Sequence, residues 1–564
     1  MSATAGSPRP ASAAFPAIPL RQRIYGFGSI FGKTLRDSRL SFIIAAGLFG
    51  ALPLALGAAL PTVFGTPEAR KELDKLVGSM PASMVNLFGN ATLMGPKLGT
   101  LGGYMTWKYG AVFTLGAGVW SILALSGTLA GEAAKGSLDF VAVTTFGKRR
   151  IALEKLAAHL TLLWLTLVVM AVMVTVSSNT FGVATQGDQI PAANAFGYAF
   201  LVGCLATCFG GLAWALAPVL GRAGAAGVAG ISMMVLWVMN GLDIGGPLLL
   251  LSPFHWTNAS IPLIGLFDWP GTIATGILAI AFLALGVELF GRRDLGTTAG
   301  LSLPGLPKVV LGVRGPTSRA FGDQLPRAIS WGLGMGLMGA VLASLVGPFA
   351  ASIKGDSTLT KTFASIFPGY DFTTAGGWLQ LYVELFYIAA GFAAATFVSK
   401  WASDGTGRRL EEVLAAPLTR FRWVLTGGIA ALLGVVVMSV VTMLGIGLGA
   451  SSGGATGGDA ILGSTSLGLY AAAFVGIGIA VGGLWRTSLA AEITALVVVA
   501  TYLVALLAPP LNLPDWVHQL ALSTHYGMPM IGRWDAVGVI ASLVLAAGGI
   551  LVGAWGMSRR DVRD

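Results

Sequence analysis

Two segments of the sequence share a pattern that fits docking to another surface. These docking segments are residues 131–150 (GEAAKGSLDFVAVTTFGKRR) and 403–422 (SDGTGRRLEEVLAAPLTRFR). Each has an acidic start, an apolar centre at helical spacing and a basic end. Such an amphipathic helix lies on lipid or inserts into a groove of another protein. A loop without a binding role is not expected to recur with all three features, so we favour the protein groove. The residues that carry the pattern are Glu132, Lys135, Leu138, Asp139 and Lys148 in the first segment, and Asp404, Arg408, Leu410, Glu411, Glu412 and Arg420 in the second.

Gly28–Thr34 (GSIFGKT) is the nearest approach in the sequence to a phosphate-binding loop. That loop needs a glycine five residues before Gly32, where Phe27 stands, and it also needs a preceding strand. We instead predict a basic amphipathic segment at the membrane surface over Arg21–Arg39, matched later by Arg314–Arg327. The sequence therefore offers no nucleotide site of its own.

Charged side chains inside the apolar stretches are scarce, and each is a functional candidate for that reason. Lys108 and Glu384 lie near the outer ends of two matched stretches. One hypothesis is that they face each other near an outer gate. The alternative is that both side chains extend separately to the outer headgroups.

Histidines and cysteines give little support to a metal site. His255 and His525 lie beside Trp256 and Tyr526, without a supporting cluster of cysteines or carboxylates. Cys204 and Cys208 are four residues apart and share one face of a predicted helix, where packing explains them. We predict no metal ligands and no catalytic residues.

The elements that position these residues are long apolar helices. Hydrophobic residues make up 55% of the 564 positions and charged residues only 11%, and mean hydropathy is +0.77, as in membrane proteins. A helix needs roughly 20 apolar residues to cross a bilayer. We therefore predict an all-α polytopic membrane protein. Its twelve spans are expected near 40–60, 103–130, 151–177, 193–219, 224–250, 270–291, 328–350, 375–399, 422–448, 463–484, 487–508 and 535–556.

The chain contains an internal repeat with three anchors in the same order. The docking segments are the first anchor, LSPFHW (251–256) returns as LSTHY (522–526), and GRRDLG (291–296) returns as SRRDVRD (558–564). Since each half holds six spans, both halves enter the membrane in one direction, and we expect a pseudo-two-fold axis along the membrane normal. The predicted domains are 1–39, a tail and interfacial helix; 40–293, the first half; 294–327, a linker and interfacial helix; and 328–564, the second half.

The basic residues predict the orientation. Most of the 35 lysines and arginines fall on the side of the predicted termini and of both docking segments. The positive-inside rule therefore places both termini in the cytoplasm. The same bias accounts for most of the net charge of +10, so we expect no nucleic-acid partner. On the outer side, residues 66–95 begin with TPEARKELDKL, which predicts a helix with Pro67 in its first turn.

The docking segments and the RRDLG motif after the sixth span resemble those of ABC-2-type exporter permeases. A twelve-span chain of this length is similar to the fused permeases of bacterial drug and polyketide-antibiotic exporters. The sequence departs from the family pattern at Thr144–Phe146, which replace a step containing proline, and at Asp404–Gly405, which replace an acidic pair. The two docking surfaces are therefore expected to be unequal.

The resemblance implies a permease subunit without enzyme activity of its own. Its docking segments would be coupling helices that sit in grooves of two copies of a separate ABC ATPase. ATP and Mg would be bound by those partners, and this chain would bind no cofactor. The chain would lie in the bacterial inner membrane, in contact with lipid, and would export an amphiphilic drug, antibiotic or lipid-like molecule by alternating access.

The predicted substrate path runs between the halves, along the second, fifth, eighth and eleventh spans. An ion-coupled secondary transporter is the alternative, although it usually places carboxylates at mid-membrane. A membrane-embedded transferase would need an acidic loop cluster that the sequence lacks. The residues proposed for the path are Trp107, Lys108, Phe113, Trp120, Met233, Trp237, Glu384, Phe386 and Tyr502.

Overall fold

The computed structural model describes residues 29–63, 65–78, 86, 90–129, 147–182, 188–243, 246–292, 315–347, 370–371, 374–406, 418–454, 457–508 and 513–560. Twelve helices of this described part are long and apolar enough to cross a membrane. They confirm the predicted all-α class and its twelve spans. Spans 1 to 6 are Arg39–Leu60, Tyr109–Thr128, Lys148–Phe181, Ala192–Arg222, Gly224–Leu242 and Trp269–Arg292; spans 7 to 12 are Pro316–Ser344, Val383–Gly405, Arg420–Ser452, Gly458–Leu484, Thr487–Leu507 and Ala536–Arg559.

The face at which span 1 begins and span 12 ends is called the terminal face below, and the opposite one the distal face.

Short elements connect the spans. The helix of span 2 already begins at Leu101, and that of span 8 ends at Thr406. Other helices are Ile30–Asp37, Pro67–Gly78, Ala91–Met94, Pro253–Trp256, Ala375–Leu381 and Asp515–His518; 3-10 turns are Gly95–Lys97, Gly246–Leu251, Pro262–Ile264, Leu522–Tyr526 and Pro529–Ile531; strands β1 (Gly527–Met528) and β2 (Arg533–Trp534) pair antiparallel.

Spans 4 and 5 form one kinked helix, Ala192–Leu242. Gly221 has φ of 70° inside it, a left-handed conformation that glycine adopts without steric cost. The kink separates two membrane-crossing segments without a loop. Span 5 then ends at Leu242, earlier than the predicted 250, because residues 246–251 form a 3-10 turn.

The two predicted interfacial segments differ from each other. Ile30–Asp37 is a separate helix, capped by the Ser29 hydroxyl, which accepts from the Gly32 N–H, and it ends at Ser38 before span 1. The later segment is continuous with span 7, whose helix runs from Pro316 to Ser344 through Pro326. The expected change from interfacial helix to span at 327/328 is therefore not a break in the helix.

The same helix pairings occur in both halves. Span 1 packs on span 3, span 2 on the helix of spans 4 and 5, and that helix on span 6; in the second half, spans 7 and 9, 8 and 10, and 10 and 12 pack in the same way. Span 1 also packs on span 11 across the halves. Buried side chains of both halves form one continuous apolar cluster. The pairings agree with a duplicated half, and the symmetry axis stays a prediction.

Candidate functional site

At the terminal face, the first docking segment leads into span 3. Lys148 is the first residue of that helix, after Gly147 at the N-cap. Arg149 contacts Glu288 of span 6 at 2.8 Å, and Arg292 contacts the same carboxylate at 2.7 Å. These exposed ion pairs hold the ends of spans 3 and 6 next to each other.

The second docking segment leads into span 9 through a similar network. Thr419 caps the helix that starts at Arg420. The Arg420 guanidinium donates to the carbonyl of Arg560, whose own guanidinium donates to the Gly482 carbonyl at 3.1 Å. The terminal ends of spans 9, 10 and 12 are therefore connected by hydrogen bonds.

Span 8 reaches the second docking segment beside a small cleft. Lys400 contacts Asp323 of span 7 at 3.3 Å. Asp404 lines the cleft together with these two residues and the stacked rings of Trp401 and Trp423, whose centroids are 5.2 Å apart. The entry to the docking segment is thus held against spans 7 and 9.

Most of the predicted coupling residues cannot be compared with the fold. Lys148, Asp404 and Arg420 lie near the ends of the docking segments, at helix ends on the terminal face, and their coupling role stays a prediction. The others lie outside the described residues, and their role stays a prediction: Glu132, Lys135, Leu138, Asp139, Arg408, Leu410, Glu411 and Glu412.

The aromatic residues proposed for the path occupy several different positions. Phe113 is buried between Phe49 and Tyr198, at centroid distances of 5.7 and 6.2 Å. Trp120 donates to the Ser41 hydroxyl at 2.8 Å and packs edge-on to His159. These two side chains therefore contribute to packing inside the first half.

The remaining path residues are mostly buried. Trp107 is partly buried, and its indole N–H has no hydrogen-bond partner within the described part of the chain. Met233 faces span 2, where a methyl carbon on Gly118 would lie 2.5 Å from its sulfur. Phe386 and Tyr502 are buried in spans 8 and 11. Trp237 lines a cleft near the distal face.

Glu384 belongs to a cluster of aromatic residues in the second half. It lies in the first turn of the span 8 helix, just after the break between Leu381 and Val383. The Ser523 hydroxyl lies beside its carboxylate, while Oε2 is buried without a partner among the described residues. Tyr387 of the same helix stacks on Tyr526 at 5.4 Å. The carboxylate is therefore enclosed by neutral polar and aromatic groups.

The pairing of Glu384 with Lys108 stays a prediction, since the Lys108 side chain lies outside the described residues. If the two side chains attract each other, charge reversal at either position alone is expected to reduce transport. Reversal at both, Lys108→Glu with Glu384→Lys, is then expected to restore it. Transport by the single and double variants measures this coupling, and a double variant no better than either single one removes the hypothesis.

A pair of matched distal turns was missed by the sequence analysis. Pro262–Gly265 (PLIG) and Pro529–Gly532 (PMIG) are both 3-10 turns that end in a left-handed glycine, with φ of 83° and 77°. The Ile264 carbonyl accepts from Lys97, and the Met530 N–H donates to Gln380. Each turn is thus attached to the segment that opens span 2 or span 8. The shared Pro-x-Ile-Gly sequence was the available signal.

The distal face of the first half is covered by the helix Pro67–Gly78, which confirms the helical opening predicted at Pro67. Arg70 of this helix contacts Asp188 at 2.6 Å. Asp74 accepts a hydrogen bond from the Gly99 N–H at 2.8 Å. Burial raises the pKa of the Asp74 carboxyl, and the Gly99 hydrogen bond only partly opposes this rise. The helix is therefore attached to the start of span 2 by side-chain contacts.

The described residues contain no group of three or more histidines, cysteines, aspartates or glutamates that could hold a metal ion. His525 Nε2 instead lies 3.0 Å from the Gln519 carbonyl.

Comparison with known proteins gives matches to efflux permeases. Residues 313–557, which contain nearly all of spans 7 to 12, match the family "Multidrug efflux system permease Rv1217c, C-terminal domain". The chain is also 27% identical over 337 residues to the "Multidrug efflux system permease protein Rv1217c" of Mycobacterium tuberculosis. This match spans 56% of the chain and 58% of the relative. The chain is therefore a multi-pass membrane protein that is similar to multidrug efflux permeases.

Proposed function

We propose that this chain is the membrane subunit of an ATP-driven exporter that moves amphiphilic small molecules out of a bacterial cell. The repeated docking segment carries the proposal. Its flanking residues Lys148, Asp404 and Arg420 lie at helix ends on the terminal face, in both halves. The similarity to multidrug efflux permeases supports drug-like cargo.

The partner in this proposal is a pair of ABC ATPase subunits, which bind ATP and Mg. One subunit would bind the segment over 132–150 and the other the segment over 404–422. The terminal face is then cytoplasmic, as the distribution of basic residues predicts, and the membrane is the inner membrane. The unequal sequences of the two segments imply unequal affinities for the two copies.

The mechanism we propose is alternating access. Closure of the ATPase pair on ATP would move both docking segments, and the halves would rotate about the central axis. Glu288 links spans 3 and 6, and Arg560 links spans 9, 10 and 12, on the same face. These links favour motion of each half as a body, because the ends of neighbouring spans are tied together.

A charge reversal in the second docking segment tests the proposal. The double substitution Glu411→Lys and Glu412→Lys is expected to reduce co-purification of the ATPase about tenfold or more, because two acidic contacts become repulsive. A pull-down of the ATPase encoded beside this gene measures the effect. ATP hydrolysis stimulated by candidate drugs in lipid vesicles measures the coupling.

Glu68→Lys with Asp515→Lys is the matched control. Both residues are exposed on the distal face, so this double variant makes the same change in charge away from the docking segments. It should retain the ATPase. Failure of the unchanged chain to bind any ATPase contradicts the proposal, as does full retention by the Glu411/Glu412 variant.

An ion-coupled secondary transporter is the second candidate, and the enclosed carboxylate of Glu384 favours it. Such a transporter would lose efflux when the proton gradient is collapsed with ATP still present. The exporter proposed above would lose efflux on ATP depletion with the gradient maintained. Cargo uptake into everted vesicles, in which an exporter fills the lumen, separates the candidates under these two conditions.

A further inference from the structure

A cleft opens near the distal face of the first half. It lies between span 2, the kinked helix of spans 4 and 5, and the connection over 254–261, and it encloses about 110 Å³. Trp237, Phe254, Leu201 and Leu205 form an apolar part of its wall. Among the described residues that line it there is no lysine, arginine, aspartate or glutamate. These residues therefore offer no counter-ion to a charged group, whose entry would be costly away from water.

Three polar atoms in this cleft have no hydrogen-bond partner among the described residues. The Tyr198 hydroxyl, Asn240 Oδ1 and Asn86 Oδ1 are buried, and none has a hydrogen-bond partner within the described part of the chain. Tyr198 is only 3% exposed, and its ring is fixed edge-on against Phe113. Leaving such groups unsatisfied destabilises the fold. A bound molecule that supplies O–H or N–H donors would satisfy them.

The corresponding tyrosine of the second half, Tyr470, has different surroundings. Tyr470 lies 272 residues after Tyr198, the same separation as between Glu132 and Asp404 in the docking segments. Its hydroxyl lies beside Thr501, and it is not one of the buried, unpartnered polar atoms of the described residues. Its ring packs against Tyr387 and Phe474 at centroid distances of 5.0 and 4.7 Å. The tyrosine with an unpartnered hydroxyl is therefore the one beside the cleft.

We propose that this cleft binds an uncharged amphiphile through hydroxyl or amide N–H groups. The apolar wall accepts the hydrophobic part of the molecule, and the asparagine carbonyls accept from its donors. The Tyr198 hydroxyl donates to one of its oxygens or accepts from a further donor. The cleft is then the distal binding position on the export path, and this role rests on the proposed function.

The test compares two fluorescent probes on the full chain in lipid nanodiscs. The first is the hydroxyl-rich aglycone of doxorubicin, which is uncharged at neutral pH; its hydroxyl-bearing end ring would enter the cleft while the other rings stay outside. The second is rhodamine 6G, a permanent cation. Fluorescence anisotropy gives the Kd of each probe after subtraction of empty nanodiscs. Tyr198→Phe and Asn240→Leu are each expected to weaken aglycone binding about tenfold, since one hydrogen bond is lost, and to leave rhodamine 6G unchanged.

Tyr470→Phe is the matched control, and it is expected to leave the Kd of both probes unchanged. A structural role for Tyr198 predicts a different result, because removal of an unpartnered hydroxyl would preserve or raise the unfolding temperature without affecting binding. The proposal is overturned if the unchanged chain does not bind the aglycone. It is also overturned if Tyr198→Phe binds the aglycone normally, or weakens both probes equally.

Failure of this proposal is distinguishable from failure of the exporter assignment. The probes are measured without ATP and without the ATPase, so the binding result does not depend on docking. A chain that binds the aglycone through Tyr198 but retains no ATPase supports the cleft and contradicts the exporter. A chain that retains the ATPase but does not bind the aglycone through Tyr198 contradicts the cleft proposal and supports the exporter proposal.

Discussion

Replacement of Asp188 by alanine is expected to lower the free energy of unfolding of the first half by about 3–5 kcal/mol. Asp188 is only 2% exposed. It accepts from the Arg70 guanidinium at 2.6 Å and from the Leu101 N–H at 3.0 Å. Removal of the carboxylate takes away an opposite charge and an acceptor at once. Titration of the purified chain with a denaturing detergent measures the loss.

Two further variants separate the contributions at this site. Asp188→Asn keeps an acceptor for the Leu101 N–H but removes the charge, so a smaller loss is expected. Asp515→Ala removes an exposed aspartate on the same face, and it is expected to change the free energy by less than about 0.5 kcal/mol. If Asp188→Ala costs no more than Asp515→Ala, the Arg70–Asp188 pair does not stabilise the first half.

The Arg70–Asp188 ion pair could not be predicted from the sequence. Each span could be predicted because its own residues supply the apolar length that a membrane requires. The helix at Pro67 could also be predicted from its opening residues. Arg70 and Asp188, in contrast, are 118 positions apart, and no local pattern links them. Their contact depends on how the helix Pro67–Gly78 packs on the start of span 2.

In span 7, by contrast, the sequence contains a local signal, and that signal is misleading. Pro326 suggests a helix boundary because proline lacks an N–H and crowds the preceding turn. Contacts with span 8 hold the helix on the N-terminal side of that proline. The Gln324 amide donates to the Phe397 carbonyl at 3.0 Å, and Asp323 pairs with Lys400. Only the packed structure contains these contacts, so the sequence alone does not show that the helix of span 7 begins as early as Pro316.

The candidate cleft also depends on residues that are distant in the sequence. Trp237 was proposed for the path from its place on span 5. Tyr198 and Asn240 were not proposed, since a lone tyrosine or asparagine in an apolar helix gives no signal by itself. Their significance comes from burial without a partner beside one cavity. The available clue was the separation of 272 residues between Tyr198 and Tyr470.

Spans 7 and 9 approach closely through glycine. A methyl carbon on Gly445 would lie 2.5 Å from the Cα of Gly336, and one on Gly449 would lie 2.5 Å from the Cα of Ala340. Those obstacles are backbone atoms, which cannot rotate away as a side chain can. In a membrane, small residues allow this type of packing because helix association depends on close van der Waals contact.

Gly445→Ala is therefore expected to destabilise the second half by about 3 kcal/mol, at the upper end of overpacking costs. Gly334→Ala is the matched control. It lies on span 7 two residues before Gly336, is exposed and has no atom within 4 Å of an added methyl carbon. Alanine there is expected to be neutral or to stabilise the helix by up to about 1 kcal/mol. Both substitutions add one methyl group. A lower free energy of unfolding for Gly445→Ala, without a lower one for Gly334→Ala, therefore isolates the contact between the spans. Equal effects would mean that the spans separate at little cost.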